Sequence, residues 1–269
     1  MIVGAAFSFD WNLVQSSVEK FTRVCTFDPS GTTWSDSFPS AIRVLTPNAS
    51  SRSMPSCENR VDEIHRVITS PSMESSYVLV GFSVGALWER LYAARYPEGV
   101  VGMVIVDHAF LPGGKAAGTQ PANAPASSGG YSGPVLLTQA PLVFGFEDDV
   151  NFDKLPQRDR ELHKWALAQH PVRPDEAMAQ DCFSQIASTI RNDSYPLGNM
   201  PLTVIRTGND SPGYAELQAK LLGLSHRSHQ VIAWHSSHMV PIDEPEVIVS
   251  AIQTMVEATR GHKSANERH

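Results

Sequence analysis

Residues 77–91 read Tyr77-Val78-Leu79-Val80-Gly81-Phe82-Ser83-Val84-Gly85-Ala86-Leu87-Trp88-Glu89-Arg90-Leu91, and they decide the fold. The first four residues form a short continuous apolar run, the pattern of a strand covered on both faces. Residues 86–91 are good helix formers. Between the two lies Gly-x-Ser-x-Gly. A serine on a tight strand-to-helix turn passes close to neighbouring backbone, and glycines at 81 and 85 remove the side chains that would clash. Ser83 then stands at a helix N-terminus, where free N–H groups and the helix dipole favour an oxyanion.

Working outward, the same type of apolar run recurs at 23–27, 100–106, 202–205 and 230–234. Helix-period segments lie between and beside them: Trp11, Val14, Val18 and Phe21; Val61, Ile64, Val67 and Ile68; Val247, Ile248, Ala251, Ile252 and Met255. Asp243, ahead of Glu244 and Pro245, reads as the start signal of the last helix. Alternating β and α units imply an α/β class with a mostly parallel, doubly wound sheet. The alternation breaks once, so the core is assigned to 1–107 and 201–269, with 108–200 as an insertion. Residues 112–134 of that insertion are rich in Gly, Ala, Pro and Ser and read as a loop. Residues 155–170 and 175–191 read as two polar helices, expected to form a lid over a pocket; a structural appendage or a homodimer contact is the other use open to them.

The chain has 269 residues, 42% of them hydrophobic, enough for one large core. Its formal charge of -7 offers no concentrated basic surface, which excludes nucleic acid as the expected partner and favours a small-molecule substrate. No stretch reaches the ~18 apolar residues that would cross a bilayer, so no membrane partner is expected. Cys25, Cys57 and Cys182 are odd in number and widely spaced, which suggests neither a disulfide framework nor a zinc site. A reducing, cytoplasmic setting is the expectation.

Residues 77–107, with Leu91-Tyr92-Ala93-Ala94-Arg95-Tyr96-Pro97 and Val104-Ile105-Val106-Asp107, resemble bacterial enzymes of the α/β-hydrolase superfamily. Phe27-Asp28-Pro29-Ser30-Gly31 with Trp34-Ser35-Asp36 resembles the family's loop after its fourth strand. Ser236-Ser237-His238, followed by Asp243-Glu244-Pro245, resembles its histidine loop. The resemblance covers nearly the whole chain outside the insertion. It implies that Ser83 is the nucleophile and His238 the base, because a serine hydroxyl is a poor nucleophile until an imidazole takes its proton. His235 is expected to be exposed or to stand behind the site. His226, His229, His235 and His238 have no carboxylate or cysteine spacing that supports a metal, and no cofactor is implied.

For the acid the resemblance leaves two positions open. Asp107 ends a buried run at the sixth-strand position and is preferred; Asp210, in Gly208-Asn209-Asp210-Ser211, is the alternative. The oxyanion donors are expected from Val84 N–H and from the loop Gly4-Ala5-Ala6-Phe7. Aligned on Asp10-Trp11, that loop implies an N-terminally shortened sheet, with the third strand nearly absent and the first two missing. Phe82 and Val84 suggest an apolar pocket wall, with ordinary packing the equal alternative, and Phe7, Phe9, Trp11 and Trp34 are also placed near a pocket, although Trp11 is assigned to the core.

These features imply a serine hydrolase of the carboxylesterase type, cleaving a small, largely apolar ester through an acyl-enzyme. Serine rather than aspartate at 83 disfavours the family's epoxide-hydrolase and dehalogenase chemistry. Carbon–carbon hydrolysis and lactone opening stay open, as does a noncatalytic ligand-binding protein, which the shortened N-terminal region motivates.

Overall fold

The computed structural model describes residues 2–4, 7–26, 28–36, 56–70, 76–108, 151–169, 176–189 and 196–266. Among the described residues five strands, β1 (Ile2–Gly4), β2 (Tyr77–Phe82), β3 (Val100–Val106), β4 (Leu202–Thr207) and β5 (Ser228–Ala233), lie in that order in one parallel sheet. In register, Gly4 faces Phe82, Phe82 faces Val106, and Val106 faces Ile205. The C-terminal ends of β2 and β3 are therefore level, which brings the residues that follow them side by side.

Because successive side chains leave a strand on opposite faces, each central strand serves two cores. Leu79, Met103, Ile105, Leu202 and Val204 face one helical layer. It contains α2 (Cys57–Ile68), α3 (Gly85–Arg95), α5 (Glu176–Thr189) and α6 (Pro212–Lys220). Val80, Phe82, Val104, Val106 and Ile205 face the other. That layer holds α1 (Asn12–Val18), entered through a 3-10 turn at Ser8–Trp11, and α8 (Pro245–Asn266). The predicted apolar stripe of α8 is the buried one: Ile248, Ala251, Ile252 and Met255. Burial of α3 continues without interruption from Gly85 to Ala93, because α2 and α5 flank it over the sheet. The helix ends at Arg95 with Tyr96 as its cap, as the following Pro97 disfavours a helical residue before it.

The run at 23–27 is not a strand among the described residues: Thr26 alone makes a bridge, and Phe27 lies outside them. The region expected to hold almost no third strand carries β1, three residues long and paired to Val80–Phe82. Of the insertion, 109–150 lie outside the described residues, the predicted loop at 112–134 among them. Both polar helices are present, as α4 (Gln157–Gln169) and α5. They differ in placement. Cys182, Phe183 and Ile186 of α5 are buried in the α2–α3 core, so α5 belongs to the body, whereas Ala166 of α4 packs on Phe7 and Phe9.

The cysteine reading is corrected. Cys57 and Cys182 form a disulfide across a sequence separation of 125, tying α2 to α5, and Cys25 takes no part in it. Spacing concealed the pair because only the packing of α5 on α2 brings the two together. Asp181 adds to the same junction by accepting the Cys57 N–H at 2.9 Å. Closing so long a loop restricts the unfolded chain strongly. Reduction, or Cys57→Ser, is expected to lower the unfolding free energy by about 2–5 kcal/mol, read from denaturation midpoints with and without reductant.

Candidate active site

Ser83 follows β2 directly, and its backbone N–H donates to Val106 O at 3.0 Å, which extends the β2–β3 ladder by one residue. The chain then turns into α3 with Ser83 at φ +54°. The tightness of that turn explains Gly81: a Cβ there would lie 2.4 Å from Glu89 Oε2 and 2.7 Å from Ala86 Cα. Asp107 repeats the device one strand over. Its N–H donates to Ile205 O at 2.8 Å and its φ is +39°. Of the described non-glycine residues only Thr33, Ser83 and Asp107 have positive φ, a conformation costing about 1–3 kcal/mol that persists where the surroundings hold it.

His238 arrives from the loop after β5. Its Nε2 lies 3.1 Å from Ser83 Oγ, and its Nδ1 lies 2.5 Å from Asp107 Oδ2. Ser83 and Asp107 are buried, and the imidazole is 19% exposed. The sheet register supplies Ser83 and Asp107; the histidine loop needs its own anchor. That anchor is Asp243, which does not start α8 as expected but ends a short helix, α7 (Val240–Asp243). Its Oδ2 accepts the Ser237 N–H at 2.7 Å and the Ser237 hydroxyl at 2.6 Å, and Ser237 Oγ accepts the Met239 N–H at 3.1 Å. The backbone is thus tied on both sides of His238.

Asp210 is not joined to the imidazole. Its Oδ1 accepts the Thr207 hydroxyl at 2.6 Å and its Oδ2 lies 3.9 Å from Arg206. Burial pushes its carboxyl up to about 6, with the Asp107 charge adding to the rise, against the opposing effects of Thr207, Arg206 and His238. His226, His229 and His235 are exposed. Among the described residues no group of three or more His, Cys, Asp or Glu could hold a metal ion.

Around the serine, Val84 stands at the N-cap of α3, and among the described residues no hydrogen bond engages its N–H. In the Gly4-to-Phe7 loop the structure removes one expected donor: Phe7 N–H donates to Asp10 Oδ2 at 2.9 Å and is unavailable to an oxyanion. Gly4 ends β1, and Ala5 and Ala6 lie outside the described residues. Asp10 also joins His163 of α4, Oδ1 to Nδ1, at 2.8 Å with both side chains fully buried. Burial raises the Asp10 carboxyl despite that partner. Of the two readings open for Phe82, packing is the one its burial supports. Phe82 is fully buried, its ring 4.8 Å from the His238 ring on one side and 6.1 Å from Trp11 on another. Trp11 is core, Phe7 and Phe9 are buried beneath α4, and Trp34 is 58% exposed, stacked on Trp165.

Sequence reasoning missed Asp243 as loop anchor, Asp10 and His163 as a link across 153 residues, and Gln218, whose amide Nε2 donates to Asp107 Oδ1 at 2.9 Å. Asp243 alone had a local signal, in its place soon after Ser236-Ser237-His238.

No protein-family model matches the chain. It is 21% identical over 248 residues to a protein of Bacillus subtilis (strain 168) called "Uncharacterized protein YqjL", spanning 90% of this chain and 76% of that protein. Among solved structures it is similar to a thermophilic esterase from Thermogutta terrifontis, with TM-score 0.60, 17% identity, and coverage of 96% of this chain and 88% of that one. It is also similar to a meta-cleavage product hydrolase from Pseudomonas fluorescens IP01, with TM-score 0.59, 14% identity, and coverage of 96% and 90%. A serine hydrolase involved in carbazole degradation matches with TM-score 0.58, 17% identity, and coverage of 96% and 89%.

Proposed function

We propose, starting from the α/β-hydrolase fold that this chain has in common with those structures, that it is a serine hydrolase cleaving small, largely apolar carboxylic esters. The observation that carries the reading is the continuous chain from Ser83 Oγ through His238 Nε2 and Nδ1 to Asp107 Oδ2, with separations of 3.1 and 2.5 Å. Ser83 attacks the ester carbonyl carbon as His238 Nε2 takes the hydroxyl proton. Asp107 accepts the Nδ1–H, holds the tautomer whose Nε2 is free to accept, and stabilises the imidazolium that forms. The oxyanion of the tetrahedral intermediate is received by Val84 N–H and by a donor from the loop after β1. His238 then gives its proton to the leaving alcohol. Water, deprotonated by the same imidazole, releases the acid from the acyl-enzyme and restores Ser83.

The bridge between Cys57 and Cys182 argues for an oxidising compartment over the reducing cytoplasm expected from spacing, since thiols in the latter are kept reduced.

Fluorophosphonate labelling tests the nucleophile. The parent chain is expected to be labelled on Ser83 and to hydrolyse p-nitrophenyl acetate, and Ser83→Ala to do neither. A folded parent that takes no label and turns over no ester would point to a noncatalytic ligand-binding protein instead.

A further inference from the structure

We infer, building on the serine-hydrolase reading, that Gln218 is a positioning residue that aims the Asp107 carboxylate at His238. Gln218 is fully buried on α6, one turn after Tyr214, so the two side chains leave the helix on the same face. Its Nε2 donates to Asp107 Oδ1 at 2.9 Å and to His108 O at 3.2 Å, while Tyr214 Oη donates to the same His108 carbonyl at 2.6 Å. Both atoms facing the amide are acceptors, so only its NH2 can be turned toward them.

The consequence is a division of labour between the two oxygens of Asp107. Oδ1 is held by Gln218, and Oδ2 is left to His238 Nδ1. Such a hold is needed because Asp107 sits at φ +39°, where its backbone is strained and its side chain projects from a turn rather than from the ladder. The turn is fixed on one side by Asp107 N–H to Ile205 O, and on the other by Tyr214 and Gln218 through His108 O. Arg90 Nη1, 2.9 Å from His108 Nε2, secures the neighbouring side chain. A charge-assisted hydrogen bond to a carboxylate is among the stronger kinds and fixes direction as well as energy. Removing it frees the carboxylate to rotate, and the imidazole then loses its aim at Ser83 Oγ.

The test compares Gln218→Met, similar in shape but without a donor, with Gln218→Glu, in the full-length chain. Gln218→Met is expected to lower kcat for p-nitrophenyl acetate by about 10- to 100-fold, with KM within about twofold and the near-UV circular dichroism of the parent. A protonated glutamic acid can donate to Asp107 Oδ1, whereas an ionised one repels it. The kcat of Gln218→Glu relative to Gln218→Met is therefore expected to rise as pH is lowered from about 8 to about 6. The groups facing position 218 and its partners, Asp107, His108, Tyr214, Arg90, His238 and Asp210, are the same in both variants, so the ratio isolates the introduced carboxyl. A second readout needs no turnover: the low-field proton resonance of His238 Nδ1–H is expected to move in Gln218→Met. Parent-like kcat in Gln218→Met, a ratio that does not change with pH, or an unmoved resonance overturns the positioning role. Absence of ester turnover in the parent sinks the hydrolase reading instead, and the resonance still decides the role of Gln218.

Discussion

Asp107→Asn is expected to lower kcat by about 10⁴-fold with little change in KM, while Asp210→Asn stays within about threefold of the parent. The two carboxyls differ in what they face. Asp107 Oδ2 lies against His238 Nδ1, whereas Asp210 Oδ1 takes the Thr207 hydroxyl. The asparagine at 107 is steered to a harmful orientation by its surroundings. The Gln218 amide already donates at the Oδ1 position, so the asparagine carbonyl turns to it and the asparagine NH2 turns to the imidazole. Nδ1 then becomes the acceptor and the ring proton moves to Nε2, where it faces Ser83 and cannot accept the hydroxyl proton. Steady-state ester hydrolysis by the two variants decides the matter: a loss confined to Asp210→Asn would remove Asp107 from the role.

A loss as large or larger is expected for His238→Ala, about 10⁴- to 10⁶-fold in kcat, with fluorophosphonate labelling of Ser83 slowed in step. His235→Ala should behave like the parent. The imidazole of His238 is the sole group within hydrogen-bond reach of Ser83 Oγ among the described residues, so its removal leaves the hydroxyl without a base. His235 is exposed, and its backbone N–H donates to Glu244 Oε2 at 2.9 Å. Retention of more than about a tenth of parental kcat in His238→Ala, against this expectation, would mean that another base serves Ser83.

The features legible in the sequence were those whose causes are local. Residues 77–91 announce a strand, a turn and a helix because each element is specified by neighbours within a few positions, and Gly81 is required by atoms of Glu89 and Ala86 on the very next helix. The run at 23–27 shows the limit of that logic. It is as apolar as β4 and β5, yet among the described residues it contributes a single bridge at Thr26, because strand pairing depends on where the partner edge lies. Asp243 shows it again. Its position before Glu244-Pro245 has the appearance of a helix cap, but its carboxylate is taken by Ser237, whose hydroxyl then holds the backbone beyond His238.

By itself the sequence determined the parallel α/β architecture, the elbow at Ser83 and the histidine that follows the last strand, since apolar period, glycine spacing and chain order are written along one dimension. Tertiary structure alone decided which carboxylate meets that histidine, because the choice rests on the register of β2 with β3 and on the side chain that α6 presents, 111 residues away, to Asp107. It likewise decided that Cys57 and Cys182 are bonded and that Phe7 N–H is already engaged by Asp10. Each of these depends on distances set by packing, which residue order does not record.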